Sequence, residues 1–421
     1  MKAIGHLLIC LVLVGFFPLP ILGIDTGNIK INPQIIIQEE YNDNINLSSR
    51  SPKSDWISTI YPGIKISGKD TRFGFDLDYK MGVLFFASGP ENNAVSHFGK
   101  ANAFYRFDPQ WTVRLKNDFL RSTDTREVDP LYSSVENQSY YSSNQGRFPF
   151  FRNVFEPSLE YKFGKEDLVS LTYRNNLFQT QNPLSQNSQE NVFKAGGTYW
   201  LDIRNGLSGE YTFSKGSFDR SADLISQLSR VRFTHRFNPS SSLYGDYSFQ
   251  KTDSDTVGLN YTVHNPSFGV NHAFTSTMSG MAQAGYFWKN SDRGSTNGYS
   301  YLISLSQKDQ KTTYTFSLQG GFTQDFFTSQ NLGFTRYNRA YAKISHRLLE
   351  RLTLNFTGLL ERAEFDNNRT DWISGVTGGA SYQVLNWLTL SLEASHRENN
   401  STVDLNSYLE NRAIIKMSAV Y

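Results

Sequence analysis

The sequence predicts an all-β fold, a transmembrane antiparallel up-and-down β-barrel of about 20 strands, with 18 as the alternative count. Three observations carry that prediction. Segments of ~9–14 residues alternate between apolar and polar side chains, the length of tilted strands that cross a bilayer. Short turns recur every 33–40 residues over most of the chain, separated by longer polar loops. All six tryptophans fall at strand ends and none in mid-strand.

Composition already removes the main competitors. Of 421 residues only 38 % are apolar, yet 14 % are aromatic, including 32 Phe and 23 Tyr. A disordered chain is poor in both classes, so disorder does not fit. A mean hydropathy of −0.45 leaves no room for a helical membrane bundle, which needs several runs of ~20 apolar residues. The net charge of +2 argues against a general nucleic-acid binder.

The two ends have distinct signatures. Residues 1–23, MKAIGHLLICLVLVGFFPLPILG, combine one Lys, an apolar run and a final small residue, the shape of a signal peptide cleaved after Gly23. An anchor helix is the alternative, but Pro18 and Pro20 interrupt the run. Residues 24–421 then form the barrel. Cys10, the single cysteine, lies inside the leader, so the mature chain has no disulfide, thiolate metal site or Cys nucleophile. At the other end Ala413, Ile415, Met417, Ala419 and Tyr421 alternate with Arg412, Ile414, Lys416, Ser418 and Val420. A strand ending on an aromatic resembles the last-strand signal read by the outer-membrane barrel assembly machinery, which makes Tyr421 the expected contact.

Turns centred on Lys69, Pro109, Lys165, Ile203, Ser240, Ser276, Asp309, Leu349 and Asn386 divide the chain into strand–loop–strand units. Polar stretches such as Asn44 to Lys53, Thr180 to Glu190 and Asn290 to Asn297 read as the loops between them, and Thr123 to Arg147 as one expanded loop. Nine short turns with both termini on one side require an even strand number and put the turns in the periplasm. Pro266 falls inside a strand, where a bulge or bend is expected.

The flanking segments alternate cleanly. Phe73, Phe75, Leu77, Tyr79 and Met81 oppose Arg72, Asp76, Asp78 and Lys80; Leu388, Leu390, Leu392 and Ala394 oppose Ser391, Glu393 and Ser395. A soluble sandwich would have to bury or wet nearly twenty charged faces, whereas a barrel turns one face to lipid and the other to water. Trp56, Trp288 and Trp372 adjoin long loops; Trp111, Trp200 and Trp387 adjoin short turns. Indoles collect at membrane interfaces, so these six read as two girdles.

Candidate functional residues follow from the register. Inward charges include Arg114, Lys116 and Asp118, and a denser run of Arg230, Arg232 and Arg236. A total of 15 inward basic residues against 10 acidic ones gives the lumen a mild cationic lean, unless the charges cross-pair along the wall. Tyr132, Tyr140 and Tyr141, interleaved with Asn and Gln in the expanded loop, suit stacking and hydrogen bonding on sugar rings. That loop is also a candidate to fold inward as a constriction. Six mature histidines form no HExxH or HxH pair, and His235 reads as the one histidine on a lipid face. Catalysis, a resident metal and a cofactor are therefore not expected; Asp253-Ser254-Asp255 is at most a weak calcium contact.

Three stretches carry a family resemblance. Glu39-Glu40-Tyr41-Asn42-Asp43-Asn44-Ile45 and the following Asn46-Leu47-Ser48-Ser49 resemble the first strand and loop of the putative β-barrel porin 2 family. Ser54-Asp55-Trp56 through Tyr61-Pro62-Gly63-Ile64 and the Gly68-Lys69 turn continue that pattern. Asn260-Tyr261-Thr262-Val263-His264-Asn265-Pro266 through Gly285-Tyr286-Phe287-Trp288 resembles its middle hairpin. The resemblance implies an outer-membrane barrel associated with exopolysaccharide loci, including those of the exosortase (PEP-CTERM) type. It further implies polysaccharide and periplasmic export components as partners, alongside outer-membrane lipid. No catalytic residue transfers with it. The expected function is an outer-membrane channel taking part in exopolysaccharide export or assembly. A non-conducting envelope scaffold and a general diffusion porin are the alternatives.

Overall fold

A β-strand is stable in hydrocarbon only when every backbone N–H and C=O finds a partner within the sheet, which demands closure. The computed structural model describes residues 24–25, 27–124, 126, 146–255, 260–324 and 333–421. The expected leader, residues 1–23, lies outside them. Twenty antiparallel strands form one ring. They are β1 (Ile29–Asn42), β2 (Asp55–Lys69), β3 (Phe73–Phe86), β4 (Ala94–Arg106), β5 (Trp111–Ser122), β6 (Phe150–Lys162) and β7 (Leu168–Thr180). Next come β8 (Ser188–Trp200), β9 (Asn205–Phe218), β10 (Leu224–Asn238), β11 (Ser241–Ser254), β12 (Tyr261–Ala273), β13 (Met278–Ser291) and β14 (Gly294–Lys308). The ring is completed by β15 (Thr312–Gln324), β16 (Phe334–Leu349), β17 (Leu352–Phe365), β18 (Thr370–Leu385), β19 (Leu388–Ser401) and β20 (Tyr408–Val420). Each strand pairs with its sequence neighbours, and β1 pairs with β20 from Gln34↔Val420 to Asn42↔Arg412. Below that seam Ile24–Asp25 folds back onto Lys30 and Ile31, continuing the edge where β20 stops.

All nine expected short turns are present, and the other rim carries the longer connections, including 43–54 and 123–149. One expected loop is absent. Asn290 to Asn297 is paired strand from Asn290↔Ser295 to Trp288↔Asn297, closed by a two-residue turn with Gly294 at φ +126°. Polar residues on both faces made that stretch read as a loop, but strands that rise past the membrane need no apolar face.

Pro266 makes no bulge. The β12–β13 ladder lapses between His264↔Trp288 and Ser267↔Gly285 and resumes in the same register. Pro62 and Pro157 leave the same two-residue gap in the β2–β3 and β6–β7 ladders. The missing proline N–H costs one rung on one side, and the intact ladder on the other side holds the strand straight.

Alternation divides the wall as the sequence requires. Leu77, Tyr79, Leu115, Leu171, Val231, Phe316 and Leu392 are exposed on the outer surface. Along the axis the inner face is uneven. Toward the short-turn rim the Lys100 and Lys116 side chains are each 60 % exposed, whereas toward the long-loop rim Arg152 is 1 % and Asp371 0 % exposed. Four small apolar clusters occupy that upper part. One joins Ile45 of the first loop to Ile57, Leu84 and Phe86; another is Leu120, Phe150 and Phe178. The end of the β15–β16 hairpin leaves β14 after Tyr301↔Gly320 and, past Gly321 at φ +154°, brings Phe322 to 4.9 Å from the inward Phe287.

At the short-turn rim Tyr421 stacks on Trp387 with ring centroids 5.1 Å apart, joining the end of the chain to the lower girdle. An aromatic pair of this kind contributes about 0.5–1.5 kcal/mol beyond its buried area. Tyr421→Ala should lower the temperature at which the folded barrel band converts to the unfolded one on a denaturing gel and slow insertion into lipid. An unchanged conversion temperature and insertion rate would show the stack to be dispensable.

Candidate pore and its constriction

The lumen has two unlike walls. On β2–β6 charges alternate and pair across neighbouring strands: Lys65–Asp78 at 3.7 Å, Lys100–Asp118 at 4.0 Å, Arg114–Glu160 at 3.1 Å and Lys116–Glu156 at 3.6 Å. The series continues through Lys194–Glu210 at 2.6 Å. Arg230 and Arg232 share Asp246 at 2.8 and 2.7 Å. Most of the expected inward charge is thus neutralised locally, because the β-register sets opposite signs in facing positions. The cationic lean persists at Lys80, Lys162, Lys308, Lys343 and Lys416, which have no ion pair among the described residues.

Ten strands round the ring, β12–β15 face that wall with hydroxyls and amides. Gln283 Nε2 donates to Ser267 Oγ at 2.7 Å, Ser300 Oγ to Asn265 Oδ1 at 2.8 Å, and Ser279 and Ser306 hydroxyls lie 3.1 Å apart. Lys289 and Lys308 are the inward charges of this arc, one at each end. Near the short-turn rim Ser242, Asn271, Ser279, Ser304 and Ser306 line a recess of about 320 Å³.

At the long-loop end both described ends of the expanded loop are pinned to the wall. Arg126, just past β5, sends Nη1 to Glu40 Oε1 on β1 at 2.9 Å and to Glu410 Oε1 on β20 at 3.1 Å, while Asp124 pairs with the same guanidinium. Arg412 adds a second contact to Glu40 at 3.2 Å, and Asn42 Nδ2 donates to Glu410 at 2.8 Å. The far end of the loop joins in: Gly146 N donates to Asn46 O at 3.0 Å, and Arg147 lies over Phe86 at 4.8 Å and 3.8 Å from Asp124. Burial alone pushes the Asp124 carboxyl up, but the Arg126 and Arg147 guanidiniums outweigh it and hold it well below the usual carboxylate range. Burial likewise opposes the charge on Arg126, yet Asp124 and Glu40 raise its pKa well above the ordinary value.

Tyr132, Tyr140 and Tyr141 lie outside the described residues, as does the rest of 127–145. The structure places Arg114, Lys116, Asp118, Arg230, Arg232 and Arg236 on the inner face. Trp56, Trp111, Trp288, Trp372 and Trp387 are exposed at the two rims. Trp200 is a correction. Its neighbour Tyr199 takes the outward position, and Trp200 turns into the lumen with the Arg236 guanidinium 3.5 Å above its ring. Gly206 opposite makes room, since a Cβ there would meet the indole at 2.9 Å. Arg236 also pairs with Glu166, whose carboxyl that hydrogen bond holds below its ordinary value.

His235 is not alone outside. His97, His264, His272, His346 and His396 share the outward parity, each Nδ1 2.7–2.9 Å from a cross-strand Tyr, Ser, Thr or Asn. His235 makes the same contact with Asn205 at 2.8 Å. The Ser241–His272 contact is one member of this series and has the geometry of interfacial packing shared by the other five. Among the described residues no group of three or more His, Cys, Asp or Glu is placed to hold a metal.

Removing Arg126 leaves Asp124, Glu40 and Glu410 buried without their shared counter-charge, a loss of about 3–5 kcal/mol for a broken buried pair. Arg126→Ala should therefore release the loop base and raise single-channel conductance in planar bilayers; equal conductance would mean the loop does not limit the pore. A carboxyl with a depressed folded pKa contributes stability above its unfolded value of ~3.9 and loses it only as pH falls through the folded value. Asp124 should accordingly hold the loop at pH 4, with wild-type conductance there matching pH 7, whereas Asp124→Asn differs already at pH 7. On the charged wall, Asp246→Asn frees Arg230 and Arg232 and should move the reversal potential in a salt gradient toward anion selectivity. An unmoved potential would place those arginines outside the ion path.

A family model described as Putative beta-barrel porin 2 matches residues 267–421, from the middle of β12 to the end of the chain. No curated protein matches the chain in sequence. Among solved structures, a mutant of the ferric enterobactin receptor PfeA from Pseudomonas aeruginosa in complex with enterobactin is similar at a TM-score of 0.53. It shares 8 % identity over 93 % of this chain and 81 % of that one. OpdK with vanillate, from the same organism, gives a TM-score of 0.45 at 9 % identity over 93 % and 99 % of the two chains. P. aeruginosa OpdQ gives 0.43 at 11 % identity over 94 % and 100 %. The chain therefore has the closed antiparallel fold of outer-membrane β-barrel proteins.

Proposed function

We propose that this chain is a porin-like channel of the bacterial outer membrane for polar, hydroxyl-rich solutes, and that it serves exopolysaccharide export or assembly. The observation that carries this reading is the facing of two unlike walls. A charged, water-accessible wall on β2–β6 keeps the lumen wet, while the neutral wall on β12–β15 offers hydroxyls and amides that exchange hydrogen bonds with a passing sugar at no net charge. The family resemblance of the sequence and the matching model over 267–421 support the porin-like class. In this reading residues 1–23 are a cleaved leader, the nine short turns face the periplasm and Tyr421 is read by the assembly machinery. The tyrosine-rich loop meets the solute at the outer mouth.

A general diffusion porin is the second reading, and the open short-turn half of the lumen favours it, with Lys100 and Lys116 side chains each 60 % exposed. Two measurements separate them. Reconstituted in planar bilayers, the barrel should conduct in discrete steps that long neutral oligosaccharides block from the short-turn side; a silent inserted barrel would instead mean a scaffold. A clean deletion should reduce surface polysaccharide. Unchanged polysaccharide together with rapid liposome swelling in small sugars would overturn the export role in favour of general diffusion.

A further inference from the structure

The outer surface of β5–β9 departs from the rest of the lipid-facing wall in three features. Arg121 and Lys215 point outward and carry no acidic partner among the described residues. Outward strand cations on β11, β16 and β17 near this rim are neutralised on the surface: Arg336 and Arg362 both reach Glu364 at 2.7 Å, and Lys251 reaches Asp253 at 2.9 Å.

Lys215 faces Asn191 directly across β8–β9, and from there a strip of amides runs toward β5, where Arg121 lies above it. Asn117 Nδ2 donates to Asn153 Oδ1 at 3.0 Å, and Asn191 Oδ1 accepts from Asn175 Nδ2 at 2.9 Å and from Tyr173 Oη at 2.7 Å. These pairs leave the Asn153 and Asn191 NH2 groups and the Asn117 and Asn175 carbonyl oxygens without partners among the described residues. Unsatisfied amides facing hydrocarbon are costly, so a face that keeps several of them implies a ligand with matching groups. Directly beneath, the wall opens into an apolar groove of about 450 Å³ between Leu171, Tyr173, Phe193 and Tyr211, with the small Ala195 in its lining. The groove runs on toward Gly197 and Gly209, which pair across β8 and β9; a Cβ at Gly209 would meet nothing within 4 Å.

Cations above and beside the amides, with the groove beneath them, match an amphiphile with phosphates on its head, amide-linked chain origins and acyl tails. We propose that this surface binds one molecule of an acylated, diphosphorylated glycolipid of the outer leaflet, one phosphate at Arg121 on β5 and the other at Lys215 on β9. Its amide and hydroxyl linkages would meet the asparagine strip, and one acyl chain the groove past Ala195. A phosphoglycerolipid supplies the phosphate and the tail, but its ester linkages donate no hydrogen bond to the free Asn117 and Asn175 oxygens. The discrimination therefore rests on the amide strip. This rests on the outer-membrane fold and not on what the lumen conducts.

The test is native mass spectrometry of the full barrel in detergent, with diphosphorylated lipid A or phosphatidylglycerol added. One lipid A should survive collisional activation that strips phosphatidylglycerol. Ala195→Phe, which fills the groove, and Asn175→Leu with Asn191→Leu, which empties the amide strip, should each cut retention at least tenfold. Arg121→Ala with Lys215→Ala should bring diphosphorylated and dephosphorylated lipid A to equal retention. Ala342→Phe, outward on β16, controls for a bulky substitution elsewhere on the wall, and heat-modifiable gel mobility confirms that each variant is folded. Equal retention of the two lipids, or folded Ala195→Phe holding lipid A as the wild type does, would overturn the proposal.

Discussion

Hydrocarbon cannot hydrogen-bond, and that single fact organises the molecule. A strand in the bilayer must give both of its edges to other strands, so the sheet can end only by meeting itself, here where β1 takes β20. Once closed, the period of two has a fixed meaning for every residue: one parity meets lipid, the other the lumen. Pro62, Pro157 and Pro266, each inside a strand, show the strength of the constraint. Each loses its own rung, and the register resumes unshifted, because a one-residue slip would turn every following side chain to the wrong solvent.

The same parity that keeps lipid apolar gives the lumen its chemistry. Neighbouring strands place residues directly opposite one another, so a Lys and a Glu on the inner face, such as Lys116 and Glu156, become a ladder rung instead of two free charges. Pairs this exposed contribute little to stability, and they also suppress the net field that a row of fixed cations would impose. What solutes meet is a wall of alternating dipoles on β2–β6 and a neutral hydroxyl–amide wall ten strands away. In the proposed channel, selectivity would come from hydrogen-bonding capacity and from inward lysines that have no ion pair among the described residues, Lys80 and Lys416 among them.

Local pattern carried most of the fold. The nine turns and nearly all strands were legible because turn chemistry and alternation are properties of a few adjacent residues. The exceptions share a cause. Asn290 to Asn297 lacks an apolar face and so looks like a loop, although all of it but the Asp292–Arg293 turn is paired strand. Tyr199 and Trp200 are adjacent aromatics at one strand end, and only the register decides which of them meets lipid. The latch at the mouth was not legible at all, since Arg126 is 86 residues from Glu40 and 284 from Glu410 and the three meet only after the ring closes. Nor was the outward placement of all six histidines, which follows from six separate registers.

The axis of the barrel is polarised as well, and the two ends solve different problems. At the short-turn rim, connections of a few residues leave the inner wall open to water, and exposed ion pairs there can break and reform around a passing solute. At the other rim, loop segments are folded back over the wall, and the charges they meet are buried. Breaking a buried pair is expensive, so this end holds a set conformation while the wet end adjusts. Arg126 holds together groups on the two strands that form the closing seam, β1 and β20, and on the loop after β5. The residue that pins the loop base therefore also ties the seam on which the sheet depends. A change that opens this latch acts on seam and loop base at once, because both hold the same carboxylates, Glu40 and Glu410, through one guanidinium.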